Sequence, residues 1–336
     1  MNSVQFENQA LEKAYFKFKK DWDENNVIQV LSSGSTGQPK NIIISKQQMV
    51  LSASKTIEFF KLEKGLKALI CLSLETIAGK MMLARSLVGN WKVKIVEPGS
   101  NPLKNLSEKI DFIALVPMQL ERILHDSPEK LNSINTVIVG GAPISNSIVK
   151  QLIALKINVF QTFGMTETVS HFALRKVGFE METFYRTIKG VLVSSLNGNL
   201  VIHYPEMFEK PLLTNDVVRI HSPETFEWMG RSDFILNSGG IKLNPERIEH
   251  KLAEHIDARF FVAGLPDAVL GEKLALIIEN STDFVPVKSR FAKVLDKYEI
   301  PKVYCKINHF IQTESGKVNR LQTIQKIQPN EWKELV

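Results

Sequence analysis

TVIVGGAPISNSIVKQLIALKINVFQTFGMTET, running from Thr136 to Thr168, is the stretch that decides the architecture of this chain. Its first apolar run, Thr136–Val139, predicts a buried strand that stops at Gly140-Gly141-Ala142-Pro143. Helical patterning follows over Asn146–Leu155, and Asn158–Phe160 returns to strand character ahead of Gln161-Thr162-Phe163-Gly164. Strand, helix and strand in succession argue for a layered α/β sheet. Ligands gather where the strands of open α/β sheets end, so both polar segments occupy candidate binding positions.

The same alternation extends toward the N-terminus. Strands are predicted at Val27–Leu31, Ile42–Ser45, Ala68–Leu72, Val93–Val96 and Phe112–Val116, with helices at Gln47–Phe60, Gly79–Val88 and Met118–His125. A helical stripe of Leu11, Ala14, Tyr15 and Phe18 precedes them, over Phe6 to about Asp21. Toward the C-terminus the pattern changes near Ile188 to strands joined by turns. Asn197-Gly198 between Val191–Ser194 and Leu200–His203 is a two-residue hairpin signal, and Val217–Ile220 and Phe226–Met229 continue the β-rich section. After Gly230-Arg231-Ser232-Asp233 comes a compact tail, with helices near Pro245–Glu254 and Ser289–Leu295 and strands near Phe260–Ala263 and Leu274–Ile278. The fold class is therefore α/β: a layered α/β domain over residues 1–230, β-rich from about 188, and a small α+β domain over 231–336.

Composition narrows the function classes. A length of 336 residues suggests two domains at about 150 residues each. With 44% hydrophobic and 23% charged residues the chain has globular composition, and no apolar run reaches the ~20 residues of a membrane span. Two cysteines, Cys71 and Cys305, make neither a disulfide framework nor a zinc site. The N-terminal residues lack a basic start and an apolar core, so no secretion signal is expected and a cytoplasmic location fits best. A net charge of +6 suits anionic small ligands; basic residues are scattered without interleaved aromatics, which argues against nucleic acid.

Four segments carry chemistry. Ser32-Ser33-Gly34-Ser35-Thr36-Gly37-Gln38-Pro39-Lys40 lies between two predicted strands and combines glycines, hydroxyls and a lysine, the means of cradling phosphate oxygens. It lacks Walker A spacing, and composition alone favours a Ser/Gly-rich surface turn. Gly141-Ala142-Pro143 ends one strand. Thr162-Phe163-Gly164-Met165-Thr166-Glu167 follows another, offering an aromatic face for a flat base and a carboxylate for Mg²⁺. Asp216, in Leu213-Thr214-Asn215-Asp216, suits ribose hydroxyls. Each alone is equally a packing or capping feature.

In order and wording these segments resemble the acyl-adenylate-forming superfamily of acyl-CoA ligases, peptide-synthetase adenylation domains and luciferases. The likeness runs from about Leu31 to Arg320. It implies ATP, Mg²⁺ and coenzyme A as ligands and a small carboxylic acid as substrate. By resemblance, Ser33, Gly34, Ser35, Thr36, Gly37 and Lys40 form the phosphate loop and Gly141, Ala142 and Pro143 the adenine wall. Thr162, Phe163, Gly164, Met165, Thr166 and Glu167 form the adenine, α-phosphate and magnesium segment, and Asp216 holds ribose. Arg231 and Asp233 mark the hinge of a mobile C-terminal domain, with Gly239-Gly240 beside a path for the CoA thiol. Lys317, in Glu314-Ser315-Gly316-Lys317-Val318-Asn319-Arg320, falls on the mobile catalytic lysine.

The sequence also departs from the family. Asn41 and Asn215 replace glycines, Phe163 replaces a common tyrosine, and Thr76 stands where many relatives carry a histidine at the acyl-pocket gate. The phosphate loop begins near residue 32, so the long N-terminal subdomain of typical relatives is expected to be missing. A narrower likeness, through Leu115-Val116-Pro117-Met118-Gln119-Leu120 and Gly164–His171, points to o-succinylbenzoate–CoA ligases of menaquinone synthesis. A dicarboxylate substrate needs a basic reader for its second carboxylate. Lys80, Ser170 and His171 are the candidates nearest the pocket segments, with Arg85 and Arg175 as further basic residues. Carrier-protein phosphopantetheine as acceptor, or a non-catalytic adenylate-binding module, remain alternatives, and a homodimer is compatible with the sequence.

Overall fold

The computed structural model of the protein describes residues 3–31, 41–279, 284–312 and 318–335. By internal contacts the chain divides into two compact units. One comprises Met1–Val193, Ile202–Leu212 and Ser222–Phe226; the other comprises Ser194–Val201, Leu213–His221 and Glu227–Val336.

The first unit opens with β1 (Val4–Phe6), α1 (Gln9–Glu24), β2 (Val27–Leu31), β3 (Asn41–Ser45) and α2 (Lys46–Phe60). There follow β4 (Lys67–Ile70), α3 (Ile77–Gly89), β5 (Lys92–Ile95), β6 (Ile110–Leu115) and α4 (Pro117–Asp126). Then come β7 (Ile134–Val139), α5 (Asn146–Ala154), β8 (Asn158–Gly164), β9 (His171–Gly178) and β10 (Tyr185–Thr187). Six strands pair in parallel in the order β1-β5-β4-β6-β7-β8, and β9 and β10 add antiparallel. β2 and β3 form a separate antiparallel pair.

A parallel sheet is buried on both faces, so its strands read as continuous apolar runs rather than as alternation. Leu69, Ile113, Leu115, Val137, Val139 and Val159 join α4 and α5 through Leu120, Ile123, Ile148 and Leu152. Their in-between neighbours face the other way: Phe112 and Phe160 meet Phe60 of α2 at ring-centre distances of 5.9 and 4.9 Å, and Trp91 lies 5.5 Å from Phe112. Phe112 is fully buried and contributes about 1.5–3 kcal/mol; Phe60 and Phe160, partly buried, contribute less.

The helix starts follow local chemistry. Ser45 and Gln48 form a capping box on α2, and Thr76 caps α3, accepting from Gly79 N at 3.3 Å and donating to Ser73 O at 2.8 Å. Three strands of this unit, β1, β9 and β10, were not read from the sequence. Val4–Phe6 is an edge strand against Val93–Ile95, so the first helix starts later, at Gln9 with Asn8 as its cap.

The chain continues through β11 (Leu192–Leu196), β12 (Asn199–His203), β13 (Leu212–Ser222) and β14 (Thr225–Arg231). Asn197 and Gly198 have φ of 52° and 85°, the paired left-handed geometry that the Asn-Gly hairpin signal predicts. Thr225 and Phe226 pair with Arg186 and Tyr185 of β10.

The second unit carries β15 (Leu236–Ser238), β16 (Ile241–Leu243), α6 (Pro245–Leu252), β17 (Phe260–Asp267), β18 (Gly271–Glu279), α7 (Lys288–Phe291), β19 (Val303–Ile307), α8 (Arg320–Lys326) and β20 (Lys333–Glu334). Its sheet runs β16-β15-β18-β19-β20, with β17 paired to β18. One face packs Ile248 and Leu252 of α6 and Phe291 of α7 on Val262, Leu274, Leu276 and Ile278; the other gathers Phe261, Ala275, Ile277, Cys305, Phe310 and Ile327. The helix expected at Ser289–Leu295 is a single turn, α7. No helix of the described residues is long and apolar enough to cross a membrane.

Candidate active site

The first unit places two of the predicted segments side by side at the ends of β7 and β8. Thr162 Oγ1 donates to Val139 O at 3.2 Å, and a Cβ on Gly140 would stand 2.5 Å from that hydroxyl. The glycine is thus required by the close approach of the two strands. Gly141 continues with φ of 91°, a left-handed value that favours glycine, into Ala142 and Pro143.

Phe163, one residue before the end of β8, sits in an aromatic group, edge-on to Phe172 at 5.7 Å, Tyr185 at 5.1 Å and Phe226 at 5.2 Å. These contacts fix its ring plane while the residue stays partly exposed.

The chain then turns sharply. A Cβ on Gly164 would stand 2.3 Å from Ser170 O, so only glycine closes the turn. Thr168 ties it from inside, accepting from Met165 N at 3.0 Å, with Ser170 O 2.6 Å from its hydroxyl. Val169 sits at φ of 65°, a strained value for a β-branched residue, and is buried. This bracing holds Thr166 and Glu167 on the outside of the turn, where neither side chain has a partner among the described residues.

An exposed carboxylate with no partner among the described residues fits Mg²⁺, which takes one or two carboxylates and completes its octahedron with water and phosphate oxygens. The described residues contain no cluster of three or more metal-ligating side chains. The site fits a metal shared with a phosphate ligand, not a cage made by the protein.

Beneath the same turn lies a buried polar group that connects three elements. Arg85 of α3 is 2% exposed, and its Nε donates to Thr56 Oγ1 of α2 at 3.2 Å and its Nη2 to Ser170 Oγ at 2.7 Å. His171 Nε2 lies 3.2 Å from the same Thr56 hydroxyl. Among the described residues no carboxylate pairs with Arg85, and burial lowers its pKa to about 10. Burial, and then the Arg85 charge, push the His171 imidazole well below its usual range. Lys80 instead points its ammonium to Gln29 O at 2.9 Å, and Arg175 is spent on Gln161 and the face of Tyr185.

The second unit gathers Asp216, Arg231 and Asp233. Arg231 forks onto Asp233 at 2.9 and 2.7 Å, and its third nitrogen stands 3.9 Å from Asp216. Asp216 is nearly buried and accepts from Trp228 Nε1 at 3.0 Å. Burial raises its pKa, opposed by Trp228 and Arg231. For Asp233 the pull of Arg231 outweighs partial burial, so its carboxyl titrates below the usual range. Glu246 accepts from the Arg231 backbone N–H, and burial raises its carboxyl to about 7. Gly239 and Gly240, at φ of 59° and 82°, make the turn between β15 and β16.

Ser33, Gly34, Ser35, Thr36, Gly37 and Lys40 of the phosphate loop, and Lys317, lie outside the described residues. Sequence reasoning missed Thr56, Trp228 and Glu246. Thr56 is a mid-helix threonine whose partners lie 29 and 115 positions away, so nothing local marks it.

A profile of the AMP-binding enzyme family matches residues 3–196. The chain is 26% identical over 329 residues to the probable 2-succinylbenzoate–CoA ligase of Mycobacterium tuberculosis, covering 90% of this chain and 85% of that one. Among solved structures it is similar to the acyl-CoA synthetase (AMP-forming)/AMP-acid ligase II-like protein of Dyadobacter fermentans, with a TM-score of 0.62, 34% identity and 93% of each chain covered. The o-succinylbenzoate coenzyme A synthetase of Bacillus subtilis, solved with ATP and magnesium ion, shares the fold at a TM-score of 0.72 and 19% identity, over 88% of this chain and 69% of that one. The chain belongs to the AMP-binding enzyme family, and within it to the AMP-forming acid–CoA ligases.

Proposed function

We propose that the chain is an o-succinylbenzoate–CoA ligase serving menaquinone biosynthesis, with Arg85 reading the second carboxylate of the substrate. The observation that carries this reading is the Arg85 guanidinium, buried and, among the described residues, partnered by hydroxyls only. A buried cation without a counter-charge is costly, and an acid that brings its own carboxylate removes that cost on binding. Among the described residues two of the five N–H donors of Arg85 are engaged, which leaves a fork for a carboxylate. Ser170 links this fork to the turn that carries Thr166 and Glu167. The relatives named as 2-succinylbenzoate–CoA ligases support the same substrate.

In the first half-reaction one oxygen of the reacting carboxylate attacks the α-phosphorus of ATP, the α–β bridge breaks, and pyrophosphate leaves. Phe163 and the Gly141–Pro143 wall position adenine, and Asp216 accepts from the ribose hydroxyls. Thr166 and Lys317 donate to the charge that builds on the α-phosphate, where fixed donors act without reorganisation. Glu167 would hold Mg²⁺, which would supply positive charge to the phosphates. In the second half-reaction the CoA sulfur attacks the acyl carbon and AMP leaves with its bonding pair. By the family resemblance, Gly239 and Gly240 border the path of the thiol.

ATP–pyrophosphate exchange, with thioester detection, over matched acids tests the reading. Exchange should be strongest with o-succinylbenzoate, and Arg85→Gln should raise KM for it about tenfold to a hundredfold while changing KM far less for a benzoate lacking the succinyl carboxylate. Equal use of the two acids by the unmodified enzyme sinks the substrate assignment. The adenylating chemistry would stand.

A further inference from the structure

The hydroxyl of Thr56 sits at the centre of three contacts, and counting protons assigns each of them. Ser52 O lies 3.0 Å from Thr56 Oγ1 and, as a carbonyl, can only accept. Arg85 Nε, at 3.2 Å, can only donate. One hydroxyl proton and two lone pairs must satisfy both of these and His171 Nε2, at 3.2 Å. The assignment that leaves no acceptor facing an acceptor sends the Thr56 proton to Ser52 O and brings N–H donors from Arg85 and His171 into the two lone pairs. His171 therefore carries its proton on Nε2. Its Nδ1 is then an acceptor, facing Ser170 Oγ at 3.5 Å, and Ser170 itself accepts from Arg85 Nη2 at 2.7 Å. The donors and acceptors form a closed ring through Arg85, Thr56, His171 and Ser170.

We propose that Thr56 and His171 are positioning residues for Arg85, with His171 neutral and protonated on Nε2, so that the guanidinium fork is fixed before the second carboxylate of the acid arrives. The proposal rests on the dicarboxylate reading above. Arginine in solution rotates about several bonds, and fixing it beforehand removes an ordering cost from binding. The ring holds both Nε and one terminal nitrogen, which defines the plane of the guanidinium. A neutral imidazole is required: an imidazolium would put a second cation beside Arg85 and leave Ser170 without an acceptor. Complete burial and the Arg85 charge both disfavour that cation. The Thr56 hydroxyl is taken up by Ser52 O, Arg85 Nε and His171 Nε2, and the two His171 nitrogens face Thr56 and Ser170, so both residues act through Arg85 and Ser170.

Two measurements test this on the full chain. Ring ¹⁵N spectra of histidine-labelled protein, with the His171 signal identified by its loss in His171→Gln, should show a neutral ring protonated on Nε2. An Nδ1-protonated ring or an imidazolium at neutral pH overturns the proposal whatever the substrate. In pyrophosphate exchange, Thr56→Val should raise KM for o-succinylbenzoate about tenfold relative to the acid lacking the succinyl carboxylate, with a much smaller fall in kcat, and Thr56→Ser should restore the wild-type ratio. His171→Gln, which keeps a donor toward Thr56, should sit nearer wild type than His171→Leu. If Thr56→Val keeps the wild-type ratio while Arg85→Gln loses it, the positioning role falls and the dicarboxylate reading survives. If Arg85→Gln also keeps the ratio, both fall.

Discussion

Glu246 shows how one carboxylate can tie the pH response of the second unit to the hinge candidate. Its Oε2 receives the backbone N–H of Arg231, whose side chain forks onto Asp233. Burial outweighs that hydrogen bond and the nearby Arg320 and lifts the carboxyl to about 7 from 4.5. A group with a raised folded pKa binds its proton more tightly in the folded state. Its contribution is therefore full below about pH 4.5 and is lost as pH rises through about 7. Glu246→Gln keeps an acceptor for Arg231 and removes the titration. The gap in thermal midpoint between wild type and variant should open in the variant's favour from pH 5 to pH 8. The corresponding difference in unfolding free energy should be on the order of 1–3 kcal/mol, less whatever solvent screening removes. A gap that stays constant across this range would show that the buried carboxylate is not the group that titrates.

At the scale of elements, the loop between β4 and α3 shows what side-chain chemistry decides. Thr76 is the helix cap, with its hydroxyl held between Gly79 N and Ser73 O, so the residue at the family's gate position is committed to backbone. Gly79 lies one turn into α3, and a Cβ there would stand 2.1 Å from Ser73 O, a backbone atom with no freedom to retreat. Thr76→Ala should cost about 1 kcal/mol, the usual loss of a cap. Gly79→Ala should cost more, about 1–3 kcal/mol as an overpacked contact, although alanine is the better helix former. Denaturant midpoints for the two variants check the order; a Gly79→Ala protein as stable as wild type would show that the 73–79 loop shifts freely.

The elements legible in the sequence were those whose burial leaves a one-dimensional trace. Val137, Ile138 and Val139 are apolar in a row because helices cover both faces of β7, and Asn197-Gly198 announces its turn through backbone freedom alone. The missed strands of the first unit have no such trace. Val4–Phe6 and Tyr185–Thr187 are three residues long and exist because a partner edge is at hand. β9 carries His171, Arg175 and Lys176 among its apolar residues, because His171 is satisfied by Thr56 and Arg175 by Gln161 and Tyr185. Arg85 was visible as one basic residue among several. Its burial separated it from Lys80, and burial of a polar residue depends on partners far along the chain.

For the whole molecule, the last question is how one chain serves two half-reactions with opposite needs. Adenylation needs a cation at the α-phosphate, and thioester formation needs the acyl carbon open to a thiol. We propose that residues 231–336 reorient about Asp233 between the two steps, delivering Lys317 for the first and withdrawing it for the second. Asp233 is in a short turn, Ser232–Phe234, directly after β14, and its carboxylate is held by Arg231 of that strand. Hinges are often single residues at the end of an element that absorb a large dihedral change. Proline at 233 would lock φ near about −65° and remove the carboxylate that Arg231 holds. Asp233→Pro should therefore keep pyrophosphate exchange within a few-fold of wild type while thioester formation falls by at least about tenfold. Lys317→Ala should do the reverse, losing about 10²–10³ in exchange while still making thioester from supplied acyl-adenylate. Asp233→Ala, which loses the Arg231 fork but keeps backbone freedom, separates the two causes. If it matches Asp233→Pro, the ion pair is what matters and the hinge is elsewhere. If Asp233→Pro slows both half-reactions equally, the two steps share one arrangement of the chain and the reorientation is wrong.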